Sequence, residues 1–230
     1  MSAKTAIVTG GTGALGSVVV QEFLKSGMAV GVSLVPGHPP GEAPAFSRVV
    51  FHPADLRREE DVTNFVRTVH ADLGRIDVLV NIAGGYSGGK RVEETPVSEW
   101  DAMMEMNLKT AFLMSRAVLP LMREQGFGRI VNIAAMAALR PAGRRGAYAV
   151  SKGGVVTLTE AIHEEVKGSG ITVNAIAPGT LLTEANRVSM PKADASAWVP
   201  LSEVAALITY LCSDAARSVS GNTIKIFGGA

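Results

Sequence analysis

Tyr148 and Lys152 stand four residues apart in a stretch whose apolar spacing is helical. On a helix this puts both side chains on one face, one turn apart. A free tyrosine has a pKa of about 10 and exchanges protons poorly at neutral pH. A nearby ammonium favours the phenolate and lowers that value. A phenol tuned in this way can give a proton to a carbonyl or imine as negative charge arrives there. Alone, Tyr-x-x-x-Lys also describes an ordinary surface pair, so its meaning depends on its company.

The second chemical signal is the run Thr9-Gly-Gly-Thr-Gly-Ala-Leu-Gly16. Gly11, Gly13 and Gly16 match G-x-G-x-x-G, directly after an apolar run and at the start of a helical pattern. The glycines permit a tight turn, close approach of backbone N–H groups to a pyrophosphate, and tight helix–strand packing. The helix N-terminus adds free amides and partial positive charge. These features predict a dinucleotide held by Gly10, Thr12, Gly13, Ala14, Leu15 and Gly16. A bound nicotinamide cation would then also act on Tyr148. An acid about 20 residues on commonly holds the ribose 2′-hydroxyl. Here the second apolar run ends Val32-Ser-Leu-Val-Pro36, with no acid and no Lys or Arg. Ser33 and His38 are the nearest polar candidates, and NAD or NADP stays open.

Seven short Val- and Ile-rich runs must position these groups: 6–8, 29–32, 49–51, 78–80, 130–133, 171–176 and 223–227. Continuous apolar character implies burial on both faces, hence a parallel sheet. Between them, 15–26, 58–73, 97–125, 147–167 and 202–212 read as helices, long enough for crossovers. The expectation is one α/β domain over residues 1–230, a Rossmann-type doubly wound seven-stranded parallel sheet with helices on both faces. The Pro- and Gly-rich stretch 36–44 reads as a loop within that domain. The irregular stretch 178–200 follows a strand's C-terminal end, where ligands bind in such sheets, and 183–200 reads as a substrate loop.

Composition narrows the class. Net charge is +1, with both signs mixed along the chain, so neither nucleic acid nor an anionic membrane is an expected partner. One cysteine, Cys212, allows no internal disulfide. That fits a reducing compartment and, with no signal-peptide pattern or bilayer-length apolar run, a cytoplasmic protein. His38, His52, His70 and His163 lack metal-ligand spacing, so no metal is expected. Met103, Met104 and Met106 read as packing, Trp100 as core or interface, 57–61 as a solvated helix start, and Glu160, Glu164 and Glu165 as exposed.

In order and spacing these landmarks resemble the short-chain dehydrogenase/reductases from end to end. They are Thr9 to Gly16, Asp55-Leu56, Asn81-Ile-Ala-Gly84, Asn107 in Asn-Leu-Lys-Thr-Ala-Phe112, Tyr148 to Lys152, and Pro178-Gly179 with Thr183. The resemblance implies an oxidoreductase using NAD or NADP on a small-molecule substrate. It implies that Asp55 and Leu56 border the adenine and that Asn81, Ala83 and Gly84 line the cofactor's path. Pro178, Gly179, Leu181 and Thr183 would wrap the nicotinamide. Asn107 would complete the catalytic set with Tyr148 and Lys152, holding a water that links Lys152 to solvent. It also implies a homodimer or homotetramer, with 97–125 and 147–167 packing across a two-fold axis. One residue departs: the family's carbonyl-orienting serine, thirteen before the tyrosine, is Ala135 here.

Two segments are similar to dihydropteridine reductases, members that also lack the serine. They are Ala83-Gly-Gly-Tyr-Ser-Gly-Gly89 and Asn186-Arg-Val-Ser-Met-Pro-Lys-Ala-Asp194, followed by Trp198, Pro200 and Leu201. Tyr86 sits where those enzymes have Trp, and Leu34 near where they carry an Asp that selects NADH. This resemblance implies reduction of a quinonoid dihydropterin or a similar conjugated heterocycle. Gly85, Tyr86 and Ala135 would border the substrate, with Tyr86 as a stacking wall and Met190 and Trp198 closing the loop over it. Asn107 to Phe112 and Gly128 to Ile133 look more like the common ketoreductases. A carbonyl reductase of 3-oxoacyl compounds or ketones, working without the serine, is therefore the alternative. A non-catalytic dinucleotide-binding sensor is a third, favoured by Ala135 alone.

Overall fold

A computed structural model of the chain describes residues 4–37 and 48–229. His38 and most of the 36–44 stretch lie outside the described residues. The strands are β1 Thr5–Thr9, β2 Ala29–Leu34, β3 Val49–Pro53, β4 Val78–Asn81, β5 Gly128–Ile133, β6 Ile171–Pro178 and β7 Thr223–Ile226. They form one parallel sheet in the order β3-β2-β1-β4-β5-β6-β7. The order reverses between β1 and β4, so their C-terminal ends open a crevice at the switch point.

Alternation along β1 shows the layers. Ala6 and Val8 face one core, with Leu15, Val19 and Phe23 of α1 (Ala14–Lys25) and Val204, Ile208 and Leu211 of α8 (Leu201–Leu211). Ile7 faces the other, with Phe65 and Val69 of α2 (Glu59–Leu73), Met114 and Val118 of α4 (Thr110–Gln125) and Ile162 of α6 (Gly146–Val166). Full burial of such side chains stabilises by about 1.5–3 kcal/mol each. The sheet is therefore doubly wound, with β1, β4, β5 and β6 buried throughout and the edge strands β3 and β7 half-buried.

The stretch 97–125 is not the single α-helix its pattern predicts. It runs as α3 (Val97–Met103), a π-helical segment at Met104–Lys109, and then α4. The extra residue of the π segment changes the helix phase at Asn107. Trp100 on α3 is 41% exposed, so it is not a core residue. The loop after β6 also has structure. It holds α7 (Glu184–Ser189) and a 3-10 turn at Ala195–Ala197, between ends stapled by a bridge from Leu181 to Val199. One further short helix, α5 (Met136–Leu139), follows β5. Among the described residues no helix is long and apolar enough to cross a membrane.

Candidate active site

The glycine loop joins β1 to α1 at the switch point. Gly10 adopts φ 65°, which side-chain-bearing residues rarely take. Gly16 packs so closely that a Cβ there would lie 2.1 Å from the Gly10 carbonyl oxygen. Gly11 instead backs onto Val32, and Gly13 caps α1. Thr12, Gly13 and Ala14 are exposed, leaving the helix N-terminus open to a ligand. Thr9 ties this loop to its neighbour: its Oγ1 accepts from the N–H groups of Ile82 and Ala83, at 3.0 and 3.1 Å. The cradle thus has the narrow glycine floor and exposed helix N-terminus that suit a pyrophosphate, with the Gly13 N–H itself donating to the Gly10 carbonyl at 2.9 Å. Gly16→Ala should destabilise the fold by about 1–3 kcal/mol, because a backbone oxygen must move. A lowered denaturant midpoint would show it.

Around the expected adenosine site the picture is mixed. Asp55 is chelated by Arg57, whose Nε and Nη2 each donate at 2.8 Å, and this hydrogen bonding holds its pKa down to about 2. Leu56 is buried in the α2 core, and Ser33 is buried on β2 opposite His52 of β3. Asn81 is likewise turned inward. Its Nδ2 donates to Asn132 Oδ1 at 2.8 Å, and Asn132 donates to Thr159 at 2.9 Å. The Asn81 side chain therefore belongs to a buried network between the sheet and α4 and α6, leaving its backbone for the cleft.

The π segment brings Asn107 to the loop after β4. Asn107 Oδ1 accepts from the Gly85 N–H at 2.8 Å, while Nδ2 donates to Gly85 O at 3.1 Å and to Ser151 Oγ at 3.0 Å. Ser151 Oγ donates in turn to the Tyr148 carbonyl at 2.9 Å. Asn107 thereby binds the Gly85 loop to α6, which carries Tyr148 and Lys152. Gly84 lies between Asn107 and Lys152. A Cβ on it would sit 2.5 Å from Asn107 Oδ1 and 3.3 Å from Lys152 Nζ. Lys152 is buried, donates to the Ile133 carbonyl at 2.7 Å, and is pushed down to about 8 by burial.

That depression has a stability consequence. Between about 8 and the unfolded lysine's value near 10.4, the unfolded chain binds more protons, so stability rises with pH in this window. Below it the buried ammonium carries its full penalty. Lys152→Met should therefore make the ligand-free protein more stable at pH 7, by about 1–3 kcal/mol. The gain should shrink between pH 8 and 10. A variant no more stable than wild type at pH 7 would mean that the Ile133 bond offsets the burial.

Tyr148 behaves differently from the sequence expectation. Burial raises its pKa, the neighbouring Tyr86 raises it further, and only Arg145 pulls it down. Without a dinucleotide, burial outweighs any help from Lys152, and the group is a neutral phenol. The Tyr86 ring stands edge-on to it, with centroids 5.0 Å apart. The Tyr86 hydroxyl is directed at Gly88, where a Cβ would lie 2.6 Å from it. Ala135 is buried at the end of β5. Pro178 ends β6, and Gly179 packs on the Phe227 carbonyl. Thr183 caps α7 by accepting from Asn186 N at 3.1 Å. Met190 ends α7 at the surface. Trp198 is 8% exposed beside the Leu181–Val199 bridge, so it anchors the loop's base instead of closing over a ligand. The sequence carried no signal for Ser151, the link from Asn107 to α6, while Met106, read as packing, packs its sulfur on Gly85. Among the described residues no group of three His, Cys, Asp or Glu could hold a metal ion.

The family described as short chain dehydrogenase matches residues 4–194. The chain belongs to the short-chain dehydrogenase family. It is thereby an oxidoreductase of the class that uses NAD or NADP. The chain is 34% identical to nodulation protein G of Azospirillum brasilense, over 100% of this chain and 98% of that one. It is 33% identical to an acetoacetyl-CoA reductase of Acinetobacter sp. (strain RA3849), over 98% and 97%. The solved structure of levodione reductase superposes with a TM-score of 0.91 at 30% identity, covering 100% of this chain and 98% of that one. None of these three is named as a pterin reductase.

Proposed function

We propose that this short-chain dehydrogenase reduces small, electron-poor carbonyl compounds of the 3-oxoacyl type, with Tyr148 as proton donor. The observation that carries the reading is the convergence of Tyr148, Lys152 and Asn107 on the crevice beside the glycine cradle. The similarity to an acetoacetyl-CoA reductase supports it.

The cradle residues 10 and 12–16 would hold the pyrophosphate, and Ser33, Asp55 and Leu56 would border the adenosine. The backbone of Asn81, Ala83 and Gly84 would line the path to the nicotinamide, with Pro178, Gly179, Leu181 and Thr183 around it. The reduced dinucleotide supplies hydride when bound. Tyr148, a neutral phenol, gives its Oη proton to the carbonyl oxygen. Lys152 holds positive charge near that oxygen as the phenolate forms. Asn107 keeps the Gly85 loop and α6 in register. Ala135 offers no hydroxyl to the carbonyl, and the Tyr86 hydroxyl lies against Gly88. The substrate must therefore be already electrophilic, as a 3-oxoacyl group or a dione is.

A second reading, reduction of a quinonoid dihydropterin, is favoured by Ala135 and by the Tyr86 ring set edge-on to Tyr148. Such a substrate needs a proton and an aromatic wall more than a carbonyl clamp. One experiment separates them: oxidation of NADH and of NADPH with a 3-oxoacyl thioester, a simple ketone and quinonoid dihydropterin in parallel. Thioester turnover without pterin turnover supports the first reading. The reverse supports the second. Cofactor binding with no turnover returns the sensor. Exposed Phe112 on α4 and Val150 on α6 are the faces expected to pair in a homodimer. Sedimentation showing only monomer at micromolar concentration would overturn that.

A further inference from the structure

The rim of the Tyr148 cleft is basic although the chain is not. The whole protein has 22 Lys and Arg against 21 Asp and Glu. Yet residues 125–159 contain no acid, and Arg140, Arg144 and Arg145 fall together between α5 and α6. Arg145 places its guanidinium carbon 5.9 Å from the Tyr86 ring centre, and that ring stands 5.0 Å from Tyr148. Its charge therefore lies at the mouth of the site. Arg144 clasps the facing loop: Gly89 N donates to its carbonyl at 2.7 Å, and its Nη1 donates to Gly89 O at 3.2 Å. Arg140 lies 5.4 Å over the Phe227 ring, beside Gly179 on the other wall.

Among the described residues none of the three arginines makes an ion pair. Two acids of the facing segment are engaged elsewhere. Glu99 accepts from Lys90 and Ser87, and Glu94 from the Arg91 N–H. Arg144 and Arg145 also precede α6, at the helix end where cations are disfavoured. Arg144 is the only described non-glycine residue with positive φ, at 64°. Missing counter-ions, the wrong helix end and a costly backbone angle thus meet in one dipeptide at the substrate's door. Guanidinium forks match carboxylate and phosphate oxygens.

We infer that the substrate reduced at Tyr148 carries an anionic group, carboxylate or phosphate, and that Arg145 receives it while Arg144 holds the segment in place. This rests on the carbonyl reading above; a quinonoid dihydropterin has no such group.

The test compares matched pairs: 3-oxobutanoate with its methyl ester, and acetoacetyl-CoA with the uncharged acetoacetyl-N-acetylcysteamine. The first pair probes carboxylate, the second phosphate. Wild type should favour the anionic member of one pair by at least about tenfold in kcat/KM. Arg145→Ala should bring that ratio near one, chiefly through KM, and Arg145→Lys should restore part of it. Added salt should narrow it. A merely structural role would lower both members alike. A ratio unmoved by Arg145→Ala in both pairs overturns the inference. If no carbonyl compound turns over, the carbonyl reading has failed. Calorimetric titration of dinucleotide-loaded protein with 3-hydroxybutanoate, its methyl ester and coenzyme A then decides. Tighter binding of an anion that is lost in Arg145→Ala supports the site. Equal binding of charged and uncharged ligands overturns it.

Discussion

Tyr148→Phe should lower kcat by about 10²–10⁴-fold, the usual worth of a positioned general acid. Fold and dinucleotide affinity should stay close to wild type. The substitution removes one oxygen and keeps the ring. That ring packs edge-on to Tyr86 at 5.0 Å, a contact Phe makes equally well. Among the described residues the phenol oxygen has no hydrogen-bond partner, so none is orphaned by its loss. The Ser151 bond goes to the Tyr148 backbone and persists. Lys152 keeps its place on the Ile133 carbonyl. The measurement is kcat and KM for the active substrate, with dinucleotide binding followed separately. Retained kcat would mean that the proton comes from elsewhere, by way of water. Lost binding would mean that the hydroxyl holds the dinucleotide.

Ala135→Ser should raise turnover of simple ketones by about 10–10²-fold, in line with a donor aimed at developing negative charge. The backbone is ready for it. Residue 135 is extended, at φ −161° and ψ 159°, and caps α5, a position serine favours. Its carbonyl already accepts from Ala138 N at 3.0 Å. Stability should hold or rise slightly. The new hydroxyl has two partners to choose between, the helix end and the substrate oxygen, which is why the gain stays below the full value of such a donor. Turnover of an electron-poor carbonyl or a quinonoid dihydropterin should change less, since neither depends on the extra donor. An unchanged ketone rate would show that residue 135 does not face the reacting carbonyl.

The sheet was legible in the chain because a strand buried on both faces is rich in apolar residues, as Val78 to Val80 are throughout and Ile171 to Ile176 are at four positions of six. Gly16 was legible because only glycine leaves room for the Gly10 carbonyl. The Tyr148 and Lys152 pair was legible because four residues make one helical turn. The helix break at Asn107 was not. A π segment adds a single residue to the phase, and the apolar stripe of 97–125 absorbs it without a visible signal. Trp198 read as closing over a ligand because its segment resembles the loop of the dihydropteridine reductases. Its burial follows from the Leu181–Val199 bridge, a pairing of two loop ends that no periodicity announces.

Local sequence, then, determined the strands, the glycine loop and the spacing of Tyr148 and Lys152, since each depends on neighbours within a turn or a pleat. Tertiary structure alone decided that Asn107 reaches Gly85 and Ser151, that the Asn81 amide turns inward to Asn132, and that burial makes Tyr148 a weaker acid. It also decided that Arg145 stands by Tyr86 with no ion-pair partner among the described residues. These are contacts between residues far apart in the chain, and desolvation and unpaired charge exist only once the chain has closed around them.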